Sequence, residues 1–146
     1  LNTSIVSKAC ENMSRTKTGA LIIITQIDDL AVFSESGVEI NAQISVPIIE
    51  SIFYKNSPLH DGAMIIRNNK IISARCVLPI SNNNLPKNLG MRHRAAVGIT
   101  EESDVVAIIV SEETGHISYG KEGELFIERS AEQLKQFLDR IFMINK

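Results

Sequence analysis

The sequence predicts an α/β fold, a single layered domain in which a central mixed β-sheet is flanked by helices. Three observations carry that expectation. Contiguous apolar runs of strand length occur at 20–24, 63–66 and 105–110, the pattern of strands covered on both faces. Stretches with helical spacing of apolar residues stand at both ends of the chain and in its middle, which supplies the covering layers. Two β-like runs joined by the polar residues 67–70 read as a hairpin, and hairpins argue against a purely parallel sheet.

Taken in order, Ile5, Val6, Ala9, Cys10 and Met13 recur at helical spacing, so a helix is expected over 3–15 with Thr3 or Ser4 as its N-cap. The run 20–24 follows as a buried strand, Asp28-Asp29 marks a turn, and 30–34 is expected to return as a second strand. Ser36-Gly37 opens a mostly polar passage with Val38, Ile40 and Ile44 as scattered apolar points. Pro47 suits the first turn of a helix, and Ile48, Ile49, Ile52 and Phe53 keep helical spacing through Tyr54. Ser57-Pro58 turns the backbone away from helix, and 63–66 is the next strand, paired through the turn with 71–78 and closed by Pro79. Residues 81–89, with three consecutive asparagines and Pro86, form a loop. A short helix is expected over 92–100, where Ala95, Ala96 and Gly98 allow tight packing, and 105–110 is the strongest buried-strand signal. A polar turn at 111–115, a short strand at 116–119, a turn at 120–123 and a strand at 125–127 lead to a last helix over 130–143. Ser130 and Gln133 form its capping box, and Leu134, Phe137, Leu138, Ile141 and Phe142 its apolar face.

With 146 residues the chain fits one domain, 1–146, with no second unit and a core expected at about 19–127 between its terminal helices. The 15 Lys and Arg against 17 Asp and Glu give a formal net charge of -2. A nucleic-acid polymer usually selects a basic excess or stripe, which is lacking, so no such partner is expected. The small basic cluster of Arg92 and Arg94 suits a small anionic ligand instead. Cys10 and Cys76 lie far apart on apolar stripes and match no zinc or redox spacing, which suits reduced core thiols and a cytosolic setting. Apolar runs stay at strand length, well below the ~20 residues of a membrane helix. The chain starts at Leu1 with no signal-peptide pattern, which fits a piece of a longer protein.

Chemistry concentrates in three stretches. Asp61-Gly62 opens the strand at 63–66, and a carboxylate at a strand edge beside a glycine suits a hydroxyl or a metal ion; the same dipeptide also reads as an ordinary turn. Gly90-Met91-Arg92-His93-Arg94 precedes small helix formers, so two guanidinium groups are expected to gather near a helix N-terminus, where phosphates bind well. The competing reading is a solvated basic turn paired with Glu101, Glu102 or Asp104. Ser111-Glu112-Glu113 follows a buried strand and so lies at a sheet edge; if that edge is also the one at Asp61, carboxylates and arginine share a cleft suited to a metal–nucleotide complex. His60 fits either a metal ligand or a polar turn, His116 reads as structural, and His93 as a residue that orients neighbours or contacts phosphate.

Four stretches, Leu59-His60-Asp61-Gly62-Ala63, Leu78-Pro79-Ile80-Ser81, Gly90-Met91-Arg92-His93-Arg94-Ala95-Ala96 and Val110-Ser111-Glu112-Glu113-Thr114-Gly115, together resemble the diadenylate cyclase (DAC) domain in order and separation. The resemblance covers about 19–123 and includes the DisA N-terminal-like α/β fold. The leading helix and the Thr18-Gly19-Ala20-Leu21 entry resemble the membrane-anchored, CdaA-type branch, which implies a cytoplasmic domain tethered to the inner face of a bacterial membrane through an upstream segment.

The resemblance implies condensation of two ATP into cyclic di-AMP and two pyrophosphates, assisted by Mn²⁺, Mg²⁺ or Co²⁺, across a face-to-face homodimer. It assigns Asp61, Arg92 and Arg94 to catalysis and Asp61, His60 and Glu112 to the metal. It assigns Gly62, Ala63, Leu78, Met91, Arg92, His93, Arg94, Ser111, Glu112 and Glu113 to the nucleotide, with Gly62 giving close approach and Leu78 lining the adenine pocket. Met91 stands where many family members carry threonine and lacks a hydroxyl donor, and Val77 lacks the ring that some relatives place beside the base. Regulatory proteins are a further class of partner the family implies, though no stretch identifies one. A different class of function is also open: a non-catalytic module that binds ATP or cyclic di-AMP. Asp61, Arg92 and Arg94 speak for the enzyme, and Met91 for the module.

Overall fold

A computed structural model describes residues 1–142 of the chain. The elements are α1 (Thr3–Arg15), β1 (Ala20–Thr25), α2 (Ala31–Ser34), β2 (Val38–Gln43), α3 (Val46–Phe53), β3 (Ala63–Arg67), β4 (Lys70–Cys76), α4 (Met91–Glu102), β5 (Val106–Val110), β6 (Ile117–Lys121), β7 (Glu124–Arg129) and α5 (Ala131–Phe142). The strands form one seven-stranded sheet in the order β2-β4-β3-β1-β5-β6-β7. Only β1 and β3 run parallel; the other pairs are antiparallel. The mixed sheet expected from the hairpin is therefore present.

The continuous apolar runs have a direct cause. Successive side chains of a strand face opposite sides, and both sides of the central strands are covered. Ile22, Ile24, Met64, Ile66, Ile108 and Val110 pack in one core with α1, α3 and α5. Leu21, Ile23, Ala63, Ile65, Ala107 and Ile109 pack in another with Ala95, Ala96 and Ile99 of α4. Cys10 and Cys76 are buried free thiols, and burial pushes the Cys10 thiol up to about 12.

Several boundaries differ from the sequence reading. Asn2, rather than Thr3 or Ser4, caps α1: the Ile5 N–H donates to its side chain at 3.1 Å. Residues 30–34 form a helical turn, not a strand. Asp28 accepts from the Leu30 N–H at 2.8 Å and Asp29 from the Ala31 N–H at 3.0 Å, so two aspartate turns hold the backbone in a coil instead of a ladder. The polar passage after Gly37 is the edge strand β2, whose alternation is broken by a bulge around Asn41. β4 ends at Cys76, β5 begins at Val106, β6 runs past Tyr119 to Lys121, β7 spans 124–129, and α4 runs from Met91 to Glu102. Asn68 and Asn69 both take left-handed φ, 53° and 62°, in the two-residue turn joining β3 to β4. The α5 capping box forms as expected: the Gln133 N–H donates to Ser130 Oγ at 3.0 Å, and the Ser130 N–H to Gln133 Oε1 at 2.8 Å. Position 143, the expected end of that helix, lies outside the described residues.

Candidate active site

Strand direction gathers the three chemical stretches. Ala20 opposes Val110 and Ile22 aligns with Met64, so the N-terminal ends of β1 and β3 and the C-terminal end of β5 share one sheet edge. β4, antiparallel to β3, also ends there. Asp61, Ser111 and the residues after Cys76 therefore meet, which answers the conditional reading of Asp61 and Ser111. The N-terminal turn of α4 closes the other side of a cleft of about 810 Å³. His60, Asp61, Gly62, Ala63, Leu78, Met91, Arg92, His93, Ser111, Glu112 and Glu113 all line it.

Arg94 does not line the cleft; its Nη2 donates to the Pro86 carbonyl at 3.4 Å. The expected pairing of two guanidinium groups fails because residues two apart on a helix point to different faces. Arg92 alone enters the cleft, where Nη1 meets Glu112 Oε1 at 3.4 Å. Its guanidinium also rests on Gly19: a Cβ there would stand 2.6 Å from Arg92 Nη1 and 2.7 Å from Cζ. Gly19 is thus a part of the site that no local sequence signal assigns to Arg92, since the approach joins segments distant in the chain. Lys87 and Asn88, read only as loop, also line the cleft.

Asp61 is exposed and its carboxylate makes no hydrogen bond or ion pair among the described residues. Gly62 has φ 137°, and a Cβ on it would lie 2.7 Å from the Arg75 carbonyl carbon. The crowding by β4 requires glycine there whatever ligand approaches. His60 Nδ1 lies 2.7 Å from the Ser57 carbonyl oxygen, which can only accept, so Nδ1 donates there and Nε2 is the ring nitrogen left without a protein partner. Burial first, and the Arg92 charge second, lower the His93 pKa, so His93 is a neutral hydrogen-bonding group near neutrality. Ser111 Oγ accepts from the Glu113 N–H at 3.2 Å and the Thr114 N–H at 3.3 Å, which leaves its own hydroxyl proton to donate. Among the described residues no three His, Cys, Asp or Glu side chains cluster closely enough to hold an ion together. His60, Asp61 and Glu112 thus share the cleft without forming a preassembled ligand set.

A carboxylate without a protein partner, in one cleft with an arginine at a helix N-terminus, suits a polar, phosphorylated ligand. Comparison with known proteins agrees. The family described as "DisA bacterial checkpoint controller nucleotide-binding", abbreviated DAC, matches residues 7–125. The chain belongs to this family. As a DAC domain it is 44% identical over 141 residues to the cyclic di-AMP synthase CdaA of Bacillus subtilis, covering 96% of this chain and 52% of that protein. It is 46% identical over 134 residues to the diadenylate cyclase of Listeria monocytogenes, covering 91% of this chain and 49% of that protein. The DAC domain here thus spans about half the length of these relatives. The crystal structure of a DacA double mutant from Staphylococcus aureus superimposes with a TM-score of 0.91 at 42% identity, covering 94% of this chain and 93% of that one. A structure described as a hypothetical membrane spanning protein from Bacillus cereus gives 0.83 at 40% identity, with 87% and 63% covered.

Proposed function

We propose that this DAC domain is a diadenylate cyclase, which joins two ATP molecules into cyclic di-AMP with release of two pyrophosphates. The observation that carries the reading is the unpartnered Asp61 carboxylate sharing one cleft with Arg92 and the N-terminal turn of α4. The base enters the apolar end beside Leu78, and the triphosphate lies toward Arg92 and the α4 N–H groups, which donate to phosphate oxygens. His93 and the Ser111 hydroxyl add neutral donors. Each ribose 3′-oxygen forms a bond to the α-phosphorus of the other nucleotide as the bond to pyrophosphate breaks, and Asp61 takes the hydroxyl proton. Such a transfer depends on positioning and charge neutralisation more than on covalent help.

The donor set fits a divalent ion such as Mn²⁺, Mg²⁺ or Co²⁺ held by Asp61 together with substrate phosphates, because hard divalent ions in such sites use one or two carboxylates rather than a full protein cage. His60 and Glu112 line the same cleft and would serve as further ligands. When bound, the ion would offset phosphate charge and acidify the 3′-hydroxyl. Reciprocal attack requires two nucleotides and therefore two protomers facing at Asp61. An upstream membrane tether at the inner face of the cell membrane would raise the local concentration of such protomers.

The test is mass spectrometry of products after incubation with ATP and Mn²⁺, for the parent chain and Asp61→Asn. Cyclic di-AMP from the parent alone is the expected result. ATP binding without product at concentrations that force association would replace the cyclase reading with that of a nucleotide-binding module.

A further inference from the structure

A second recess, of about 450 Å³, adjoins the main cleft at Asp61 and Val77 and is lined by Ser36, Gly37, Val38, Asp61, Arg75 and Val77. Arg75 is exposed, and its side chain makes no hydrogen bond or ion pair among the described residues. Its backbone has φ 57°, a left-handed conformation that side-chain-bearing residues adopt at a cost. Two glycines pack closely against it. A Cβ on Gly62 would come within 2.7 Å of the Arg75 carbonyl carbon, and one on Gly37 within 3.0 Å. An unpaired guanidinium, carried on a strained and closely packed bulge next to the candidate base, serves no evident packing purpose.

We propose that Arg75 forms a second phosphate site, which receives the phosphate of the nucleotide held by the facing protomer. The inference rests on the cyclase reading and extends it. A nucleotide in the main cleft brings its own 3′-hydroxyl to Asp61, and its triphosphate extends toward Arg92. The phosphorus to be attacked belongs to another molecule and must reach Asp61 from a side the first nucleotide leaves open. The recess at Arg75 is such a side. A guanidinium there donates in two parallel hydrogen bonds to phosphate oxygens and offsets the charge that builds on them. Val38 and Val77, 43% and 70% exposed, give this recess an apolar rim that a second protein surface would cover. Arg92 then serves the nucleotide of its own protomer and Arg75 that of its partner.

The test compares the parent with Arg75→Ala, Arg75→Lys and Arg75→Gly, measuring ATP affinity, cyclic di-AMP affinity, kcat and KM, and thermal midpoint. In Arg75→Ala, ATP affinity is expected to stay within about twofold, while cyclic di-AMP affinity and kcat fall about tenfold or more, the scale of one charged hydrogen bond. Arg75→Lys recovers part of both losses. Arg75→Gly, relieved of the left-handed strain, melts no lower than the parent and still loses cyclic di-AMP affinity, which separates the lost charge from a damaged fold. Unchanged product affinity and kcat in the alanine and glycine variants of an active parent would remove the Arg75 site and leave the cyclase reading standing. A parent that neither makes nor binds cyclic di-AMP would remove both.

Discussion

Gly19 is defined by what occupies the space beside it. The Arg92 guanidinium lies where a side chain would begin, and it is the flexible end of a long residue, so Gly19→Ala can be accommodated by moving it. The expected outcome is a normally folded protein whose ATP affinity falls about tenfold, since small displacements of a phosphate-positioning group are costly; equal affinity in a titration would show that Arg92 needs no such seat. Asp61→Asn keeps the size of the side chain and removes the proton acceptor, so the proposed turnover should drop by at least about a hundredfold with ATP binding retained. His93 adds a pH dependence. Its folded pKa lies below the ordinary 6.5, so below about pH 6.5 the unfolded chain takes up a proton before the folded one, and stability falls as pH drops. His93→Gln should flatten the decline in thermal midpoint between about pH 7 and 5.5, and an unaltered slope would contradict the assignment. Asp61 and Arg92 were legible because charged residues directly flank apolar strands or open a helix. That Arg94 parts from Arg92 follows from their spacing of two on α4, but which of the two enters the cleft was not legible, because it depends on the face that α4 packs against the sheet.

At the scale of elements, α4 is held to the loop after β4 by Gly98. A Cβ there would lie 2.1 Å from the Pro79 carbonyl oxygen, a backbone atom with little freedom to retreat. Alanine would gain roughly 1 kcal/mol of helix propensity, but the clash should cost more, about 1–3 kcal/mol. Gly98→Ala is therefore expected to lower the thermal midpoint and, by shifting the α4 N-terminus, to weaken ATP binding as well; a more stable variant would refute the close contact. The helices were readable from their apolar spacing and from caps such as Ser130 with Gln133. Edge strand β2 and the turn α2 were not, for physical reasons. A half-exposed strand with a bulge loses its alternation, and the apolar look of 30–34 was overruled by aspartate side chains that capture the backbone N–H groups.

At the scale of the molecule, the site follows from strand direction. Antiparallel β1–β5 and β3–β4 and parallel β1–β3 place four strand ends on one edge, beneath the α4 N-terminus. The sequence contained the stretches and their order but not their meeting, because convergence depends on the pairing of strands far apart in the chain. The same edge is open to solvent, with Asp61 exposed at its rim, so a second protomer can face it. The account then requires catalysis to depend on association. The most direct test is the rate of cyclic di-AMP formation per protomer, followed by mass spectrometry over a dilution series of the parent chain with saturating ATP and Mn²⁺. The expected result is cyclic di-AMP whose rate per protomer rises with protein concentration until association is complete. Bound ATP with no cyclic dinucleotide at any concentration would contradict the proposed reaction, and a rate per protomer that stays constant down to demonstrably monomeric protein would contradict its two-protomer site.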